Sequence, residues 1–325
     1  MPTATAAPPD TRRGTPAVPP ATRPLAVRLC NWVGEVVLAL PTLRRLEAAG
    51  YALAPIGKRW APALLEGTAW PVTVRAGSVR AAGRQLRALR RSLGARSPAA
   101  FLLTKSFSSA LEAWLGGWRA VGYARDGRSL LLAAAYPLPR FGHASHAYWH
   151  LASCFLGEEA PYPTVTELTP AAAQFERADA LLRAHALDGR PFVLLCPFSG
   201  ADDRESRKVW PEFPVLDRHL ATQGVPTVVC PGPGEEARAA ATLPGAVQLP
   251  GLDLGVYGAL LARSSAVVAN DTGPGHLAAA VGARLVAVYG PHSVAAWSPL
   301  GRRVTLLHGA TEWPALKSVT ALLPG

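Results

Sequence analysis

A chain of 325 residues that is 49% hydrophobic and 17% charged has the apolar content to core two domains, which excludes a disordered or fibrous polypeptide. Lys and Arg number 33 against 22 Asp and Glu, and the resulting net charge of +11 favours an acidic partner: a phosphorylated substrate, an anionic membrane surface or a nucleic acid. No uninterrupted apolar run is long enough to span a bilayer, and Cys30, Cys154, Cys196 and Cys230 form neither a CxxC nor a zinc-ligand pattern, so buried thiols in a reducing compartment are expected.

Residues 1–24 are rich in Pro, Ala and Thr, lack the compact apolar segment of a secretory signal, and predict a disordered tail. Residues 25–30 predict a strand, 31–35 a turn and 36–49 a helix with Val36, Val37, Leu40, Leu43 and Leu46 on its apolar side and a kink at Pro41. Gly50 caps that helix, and residues 51–56 return as a second strand, completing a βαβ unit. Residues 67–111 contain no acid, while Arg80, Arg84, Arg87 and Arg91 recur at helical spacing opposite Leu86, Leu89 and Leu93. A purely solubilising face mixes signs, so this stripe predicts a docking face for an anionic surface. Residues 100–103 predict a strand, and the polar loop 104–109 follows its carboxyl end, where open α/β sheets place ligands.

Residues 137–170 are Pro- and His-rich with a helical piece near 146–155, and a boundary across Pro161, Pro163 and Pro170 divides the chain into domains 25–170 and 171–325. The second domain opens with a strand at 191–196 and a polar loop, 197–209, holding Ser199, Arg204, Arg207 and Lys208 ahead of Trp210 and Pro211. A helix at 216–223, a strand at 225–230 and the turn leading to Glu235 and Glu236 follow. Residues 266–269 and 285–289 predict strands around a glycine turn and an Ala-rich helix start, Asn270 to Ala280. The Thr272–His276 turn points N–H groups and a helix dipole at an anion, with Asp271 and His276 at the same mouth.

The string Asp271-Thr272-Gly273-Pro274-Gly275-His276, closing at Tyr289-Gly290-Pro291, resembles the C-terminal signature of the ADP-heptose:lipopolysaccharide heptosyltransferases, glycosyltransferase family 9. Three further segments resemble that family in register. They are Asn31-Trp32-Val33-Gly34-Glu35 running to Pro41, Leu103-Thr104-Lys105-Ser106-Phe107, and Cys196-Pro197-Phe198-Ser199-Gly200 running to Lys208-Val209-Trp210-Pro211. The second of these is closest to the heptosyltransferase II type. The resemblance implies a GT-B architecture, two Rossmann-like α/β domains facing a central cleft, and inverting sugar transfer.

Such a transfer needs a base for the acceptor hydroxyl, a stabilised leaving group and a sugar held in line. Glu35 is the candidate base. Lys208, Ser199 and the Thr272, Gly273, Gly275 and His276 turn are candidates for the donor diphosphate, Asp271 for sugar hydroxyls or the helix cap, and Glu235 (or Glu236) for the ribose. Lys105, Arg84 and Arg87 are candidates for the acceptor. Two departures fall on the acceptor side: Glu35 stands for the family aspartate and Lys105 for its asparagine. No carboxylate or histidine cluster has ligand spacing, so no resident metal is expected; Mg2+ alongside a nucleotide sugar is compatible but not required.

The implied partners are a nucleotide-sugar donor and a phosphorylated glycolipid acceptor. The chain is expected to be a cytoplasmic monomer at the periphery of the inner membrane. ADP-, GDP- and UDP-sugars all fit this logic, and Glu35 leaves open a family member that only binds. Gly273 to Ala278 also matches a dinucleotide fingerprint, but residues 272–311 hold no acid for the ribose, which argues against a nicotinamide enzyme. The tryptophans sit in apolar or Pro contexts rather than along a basic strand, which argues against a nucleic-acid module.

Overall fold

The computed structural model describes residues 23–94, 99–198, 209–291, 293 and 295–323; residues 1–22 of the tail expected over 1–24, Ser199 and Lys208 lie outside them, while Arg23 and Pro24 open the first strand instead of ending the tail. Two six-stranded parallel sheets form the frame. The first contains β1 (Arg23–Arg28), β2 (Tyr51–Gly57), β3 (Thr73–Val74), β4 (Ala99–Leu102), β5 (Arg119–Tyr123) and β6 (Ala134–Tyr136), in the order β3-β2-β1-β4-β5-β6. The second contains β7 (Val193–Cys196), β8 (Thr227–Val229), β9 (Val247–Gln248), β10 (Ala266–Ala269), β11 (Leu285–Tyr289) and β12 (Val304–His308), in the order β12-β11-β10-β7-β8-β9. Both are the doubly wound 3-2-1-4-5-6 order, so each has one point where the winding reverses, between β1 and β4 and between β7 and β10. The central strands are buried on both faces, as the uninterrupted apolar runs of β1, β7 and β10 require.

The helix after β1, α1 (Val33–Ala48), starts three residues earlier than its apolar pattern predicts and runs through Pro41. A helix-interior proline costs about 3 kcal/mol. Complete burial of Val36, Val37, Leu43 and Leu46, each contributing about 1.5–3 kcal/mol, outweighs that cost. The arginine-striped segment forms α3 (Val79–Ser92), after the short α2 (Ala61–Leu65); Ser78 caps α3 by accepting from the Ala81 N–H at 3.2 Å. The polar loop after β4 leads into α4 (Phe107–Leu115), capped by Ser106. Next come α5 (Ala144–Leu156), α6 (Ala172–Ala184), α7 (Phe213–Thr222), α8 (Glu236–Thr242), α9 (Leu254–Arg263), α10 (Gly273–Ala280) and α11 (Leu316–Thr320).

The segment leaving α5 already lies on the second unit: Thr166 donates its N–H to Leu300 O at 3.2 Å and Leu168 donates to Ala280 O at 2.9 Å. Gln174 on α6 reaches back to Ala63 O and Glu66, both at 2.8 Å. The two units also meet where α1 packs on α10. Among the described residues no helix is long and apolar enough to cross a membrane.

Candidate active site

The winding reversal of the first sheet opens a pocket of about 240 Å³ between the loop from β1 to α1 and the loop from β4 to α4. Glu35, in the first turn of α1, and Lys105, in the β4 loop, both line it, together with Cys30, Trp32 and Tyr148. The Tyr148 hydroxyl donates to Glu35 Oε1 at 3.4 Å. Partial burial lifts the Glu35 pKa above the ordinary carboxylate range, while the Lys105 charge, the Tyr148 hydroxyl and the Trp32 backbone pull the other way. Burial wins, and a carboxylate with a raised pKa is a better proton acceptor when ionised.

Two arginines that sequence reasoning missed, one half-buried and one fully buried, hold the two loops. Arg28, at the end of β1, donates to Asn31 Oδ1 at 3.1 Å and lies 3.8 Å from Glu112. Glu112, 2% exposed, also takes a two-pronged bond from Arg75 at 3.0 and 2.5 Å. Arg128 is fully buried and donates to Tyr123 O at 2.8 Å, Thr104 O at 2.7 Å and Ser109 Oγ at 3.3 Å. Burial lowers its pKa to about 10, so it stays cationic at neutral pH and clamps the backbone on either side of Lys105. Nothing in the local spacing distinguishes Arg128 from the surface arginines; only the tertiary fold buries it.

The winding reversal of the second sheet opens a pocket of about 220 Å³ at the carboxyl ends of β7, β8 and β10. Phe198, Pro231, Pro233 and Leu254 give it flat apolar walls, and Glu235 is the carboxylate of its lining. Glu235 Oε2 accepts the Gly232 N–H at 2.8 Å and so shapes the turn after β8, while Glu236 accepts the Gly234 N–H at 2.8 Å. Cys196, on the pocket floor, lies 3.1 Å from the Tyr257 hydroxyl, and burial pushes its thiol up to about 12. A protonated thiol is no nucleophile, so the floor acts as an apolar surface.

Between the pockets stands the N-terminus of α10. Thr272, not Asp271, caps it, with Oγ1 accepting the Gly275 N–H at 3.3 Å. Asp271 instead shares a hydrogen bond with the Tyr289 phenol, whose pKa is raised chiefly by burial and further by that carboxylate. His276 is 5% exposed, and its Nδ1 has no hydrogen-bond partner among the described residues. Burial first, and the His143 ring second, lower its pKa to about 4, so the imidazole is neutral near pH 7. A Cβ on Gly34 would lie 2.5 Å from His276 Cδ2, and one on Gly273 would lie 3.2 Å from Val33 Cβ. The residue before Glu35 is therefore glycine because the second unit's histidine occupies that space.

Asn270, passed over as a site residue in the sequence, bonds both ends of the loop that holds Ser199 and Lys208. Its Oδ1 accepts the Trp210 N–H at 3.0 Å, and its Nδ2 donates to Pro197 O. Trp210 is fully buried, with Nε1 donating to Pro314 O at 2.9 Å, so the neck of that loop is fixed beside the second pocket. Arg84 and Arg87 are not in the first pocket. They lie along α3, where the Arg87 guanidinium donates to Leu115 O at the far end of α4, at 2.8 Å. Among the described residues no three His, Cys, Asp or Glu side chains form a group able to hold a metal ion.

The glycosyltransferase family 9 (heptosyltransferase) domain matches residues 86–323. A lipooligosaccharide heptosyltransferase 2 from Haemophilus influenzae is 35% identical over 162 residues, so the chain spans 44% of that relative's length and the match 45% of this chain. An E. coli ADP-heptose lps heptosyltransferase II has the same fold at a TM-score of 0.75, with 22% identity over 93% of this chain and 98% of the other. A glycosyl transferase family 9 protein from Veillonella parvula superposes at 0.76, with 18% identity over 88% of this chain and 86% of its own.

Proposed function

This chain belongs to glycosyltransferase family 9, the heptosyltransferases, and from that premise we propose that it transfers a heptose from ADP-heptose, with inversion, to the inner core of a lipopolysaccharide acceptor at the cytoplasmic face of the inner membrane. The observation that carries this reading is the seam where the start of α1 touches the start of α10 through Gly34, Val33, Gly273 and His276, with Glu35 lining the pocket at the first sheet's winding reversal and Gly273 the pocket at the second's. One pocket has apolar walls and a carboxylate, which suits a nucleoside. The other has a half-buried carboxylate beside a lysine, which suits a hydroxyl on an anionic acceptor.

In this mechanism Glu35 removes the proton from the acceptor hydroxyl as that oxygen attacks the anomeric carbon. The bond from the anomeric carbon to the phosphate oxygen breaks on the opposite face, and the nucleoside diphosphate leaves with the electron pair. The positive end of α10, where the Gly275 N–H is already taken by Thr272, favours the charge of that leaving group through the helix dipole, and Lys208 and Ser199 are assigned to the same diphosphate. Glu235 takes the ribose hydroxyls and Asp271 the sugar hydroxyls. Lys105 neutralises acceptor phosphate. Lysine and helix dipole carry the diphosphate charge, so turnover does not depend on added Mg2+.

The test is transfer from ADP-heptose to a heptose-deficient lipopolysaccharide core, read by mass spectrometry, alongside calorimetric titration with ADP, GDP and UDP. ADP binding with a mass gain of one heptose is expected. Preference for GDP or UDP overturns the donor, and absence of any transfer with ADP bound overturns the catalytic reading.

A further inference from the structure

The outer flank of the first sheet carries a surface that sugar transfer does not use. α4 buries Ser109, Ala110, Glu112 and Ala113. Its other face carries Phe107, Leu111 and Trp114, whose spacing of four and then three residues stacks them in one line. Phe107 is 46% exposed and Trp114 57%, an apolar line left in water. α3 packs alongside and brings five arginines and no acid. Arg87 and Arg90 reach across to Leu115 O at 2.8 Å and Gly117 O at 3.1 Å, and with Arg91 and Trp114 they line an open groove. At its other end α4 begins two residues after Lys105, and Trp32, 71% exposed, stands on the same pocket's rim.

We propose that this face is the surface on which the protein lies against an anionic phospholipid bilayer, with Phe107 and Trp114 at headgroup depth, the α3 arginines on lipid phosphates and the Glu35 pocket opening at the membrane plane. An apolar line edged by arginine is the composition that binds at a membrane interface. Charge complementarity selects the bilayer over a second copy of the chain, because a two-fold contact would set two acid-free arginine stripes against each other. The proposal rests on the reading that the acceptor is a membrane glycolipid, but the binding itself needs neither substrate.

The test is flotation of the full chain with vesicles of phosphatidylglycerol and phosphatidylcholine, and with phosphatidylcholine alone. Binding to the anionic vesicles only is expected. It should fall about fivefold in Arg91→Ser, and further in Trp114→Ala, with calorimetric ADP affinity unchanged in both. Equal binding to neutral vesicles, or no loss in either variant, overturns the proposal. So does a concentration-dependent dimer that Trp114→Ala abolishes, which would assign the face to a second copy. Vesicle binding with this pattern in a protein that transfers no heptose leaves the surface standing and removes only the catalytic reading.

Discussion

Gly34→Ala tests whether the seam between the two units sets the catalytic geometry. The added methyl would sit 2.5 Å from His276 Cδ2, where ordinary van der Waals contact begins at 3.4 Å, so about 1 Å must be found. The ring cannot swing away, because His276 is 5% exposed and packed within the seam. The displacement therefore falls on the start of α1, which carries Glu35 as the next residue. A misplacement of about 1 Å costs roughly 10²-fold in rate, and overpacking of this kind costs about 1–3 kcal/mol in stability. The pocket proposed above for the donor nucleoside is walled by the second unit, so under that proposal ADP affinity should change little. Steady-state kcat with ADP-heptose, calorimetric ADP affinity and a thermal melt measure the three effects. A second arm combines Gly34→Ala with His276→Ala: if the clash is the cause, the double variant turns over no more slowly than His276→Ala alone, a strong non-additivity. A kcat for Gly34→Ala within about threefold of the parent, with ADP binding intact, refutes the claim that the seam positions Glu35.

Glu35→Gln should lower kcat by about 10²- to 10⁴-fold while ADP affinity holds, and unimpaired turnover removes Glu35 as the base. Lys105→Met takes away the charge that opposes burial at Glu35, so the acidic limb of the kcat profile should move to higher pH; an unmoved limb uncouples the two side chains. For His276 the native pKa of about 4 lies below the ordinary 6.5, so the unfolded chain takes up the proton first as pH falls. Stability should be complete above pH 6.5 and decline by about 3 kcal/mol between there and pH 4; in denaturant titrations, a His276→Gln chain with the same decline would contradict this.

The parts of this protein that could be read from its sequence are those whose physics is local. β1, β2, β10 and β11 are apolar runs bounded by glycine turns, and α3 declares itself by the period of its arginines. The outer strands β3, β6 and β12 were not visible. β3 has two residues and β6 three, and β12 mixes half-buried with exposed positions, so neither length nor alternation marks them. Glu35, Lys105, Glu235 and His276 sit where a strand ends and a helix begins, and that junction could be located. What holds them there could not. Arg128 reaches the Lys105 loop through the Thr104 and Ser106 carbonyls, 24 and 22 residues distant, and Asn270 acts through backbone groups 60 and 73 residues away. A count of arginines or a run of loop residues carries no trace of such closures. The early start of α1 has the same origin, since Val33 is held against Gly273 of the other unit.

The two departures from the family pattern gain meaning from their placement. Glu35 and Lys105 arrive from different loops, after β1 and after β4, yet line one pocket, and the lysine charge acts on the carboxylate. A carboxylate half-withdrawn from water drifts toward its protonated form, and a protonated carboxyl cannot accept a proton from a sugar hydroxyl. An asparagine at position 105 would supply no charge against that drift. The lysine does, and Arg128 pins the backbone of its loop at the Thr104 carbonyl. The glutamate and the cation opposite it therefore form one electrostatic unit: burial favours the protonated form of Glu35, and the Lys105 charge opposes it. Glu35 and Lys105 share one pocket and one electrostatic balance, so their chemistry has to be read as a pair.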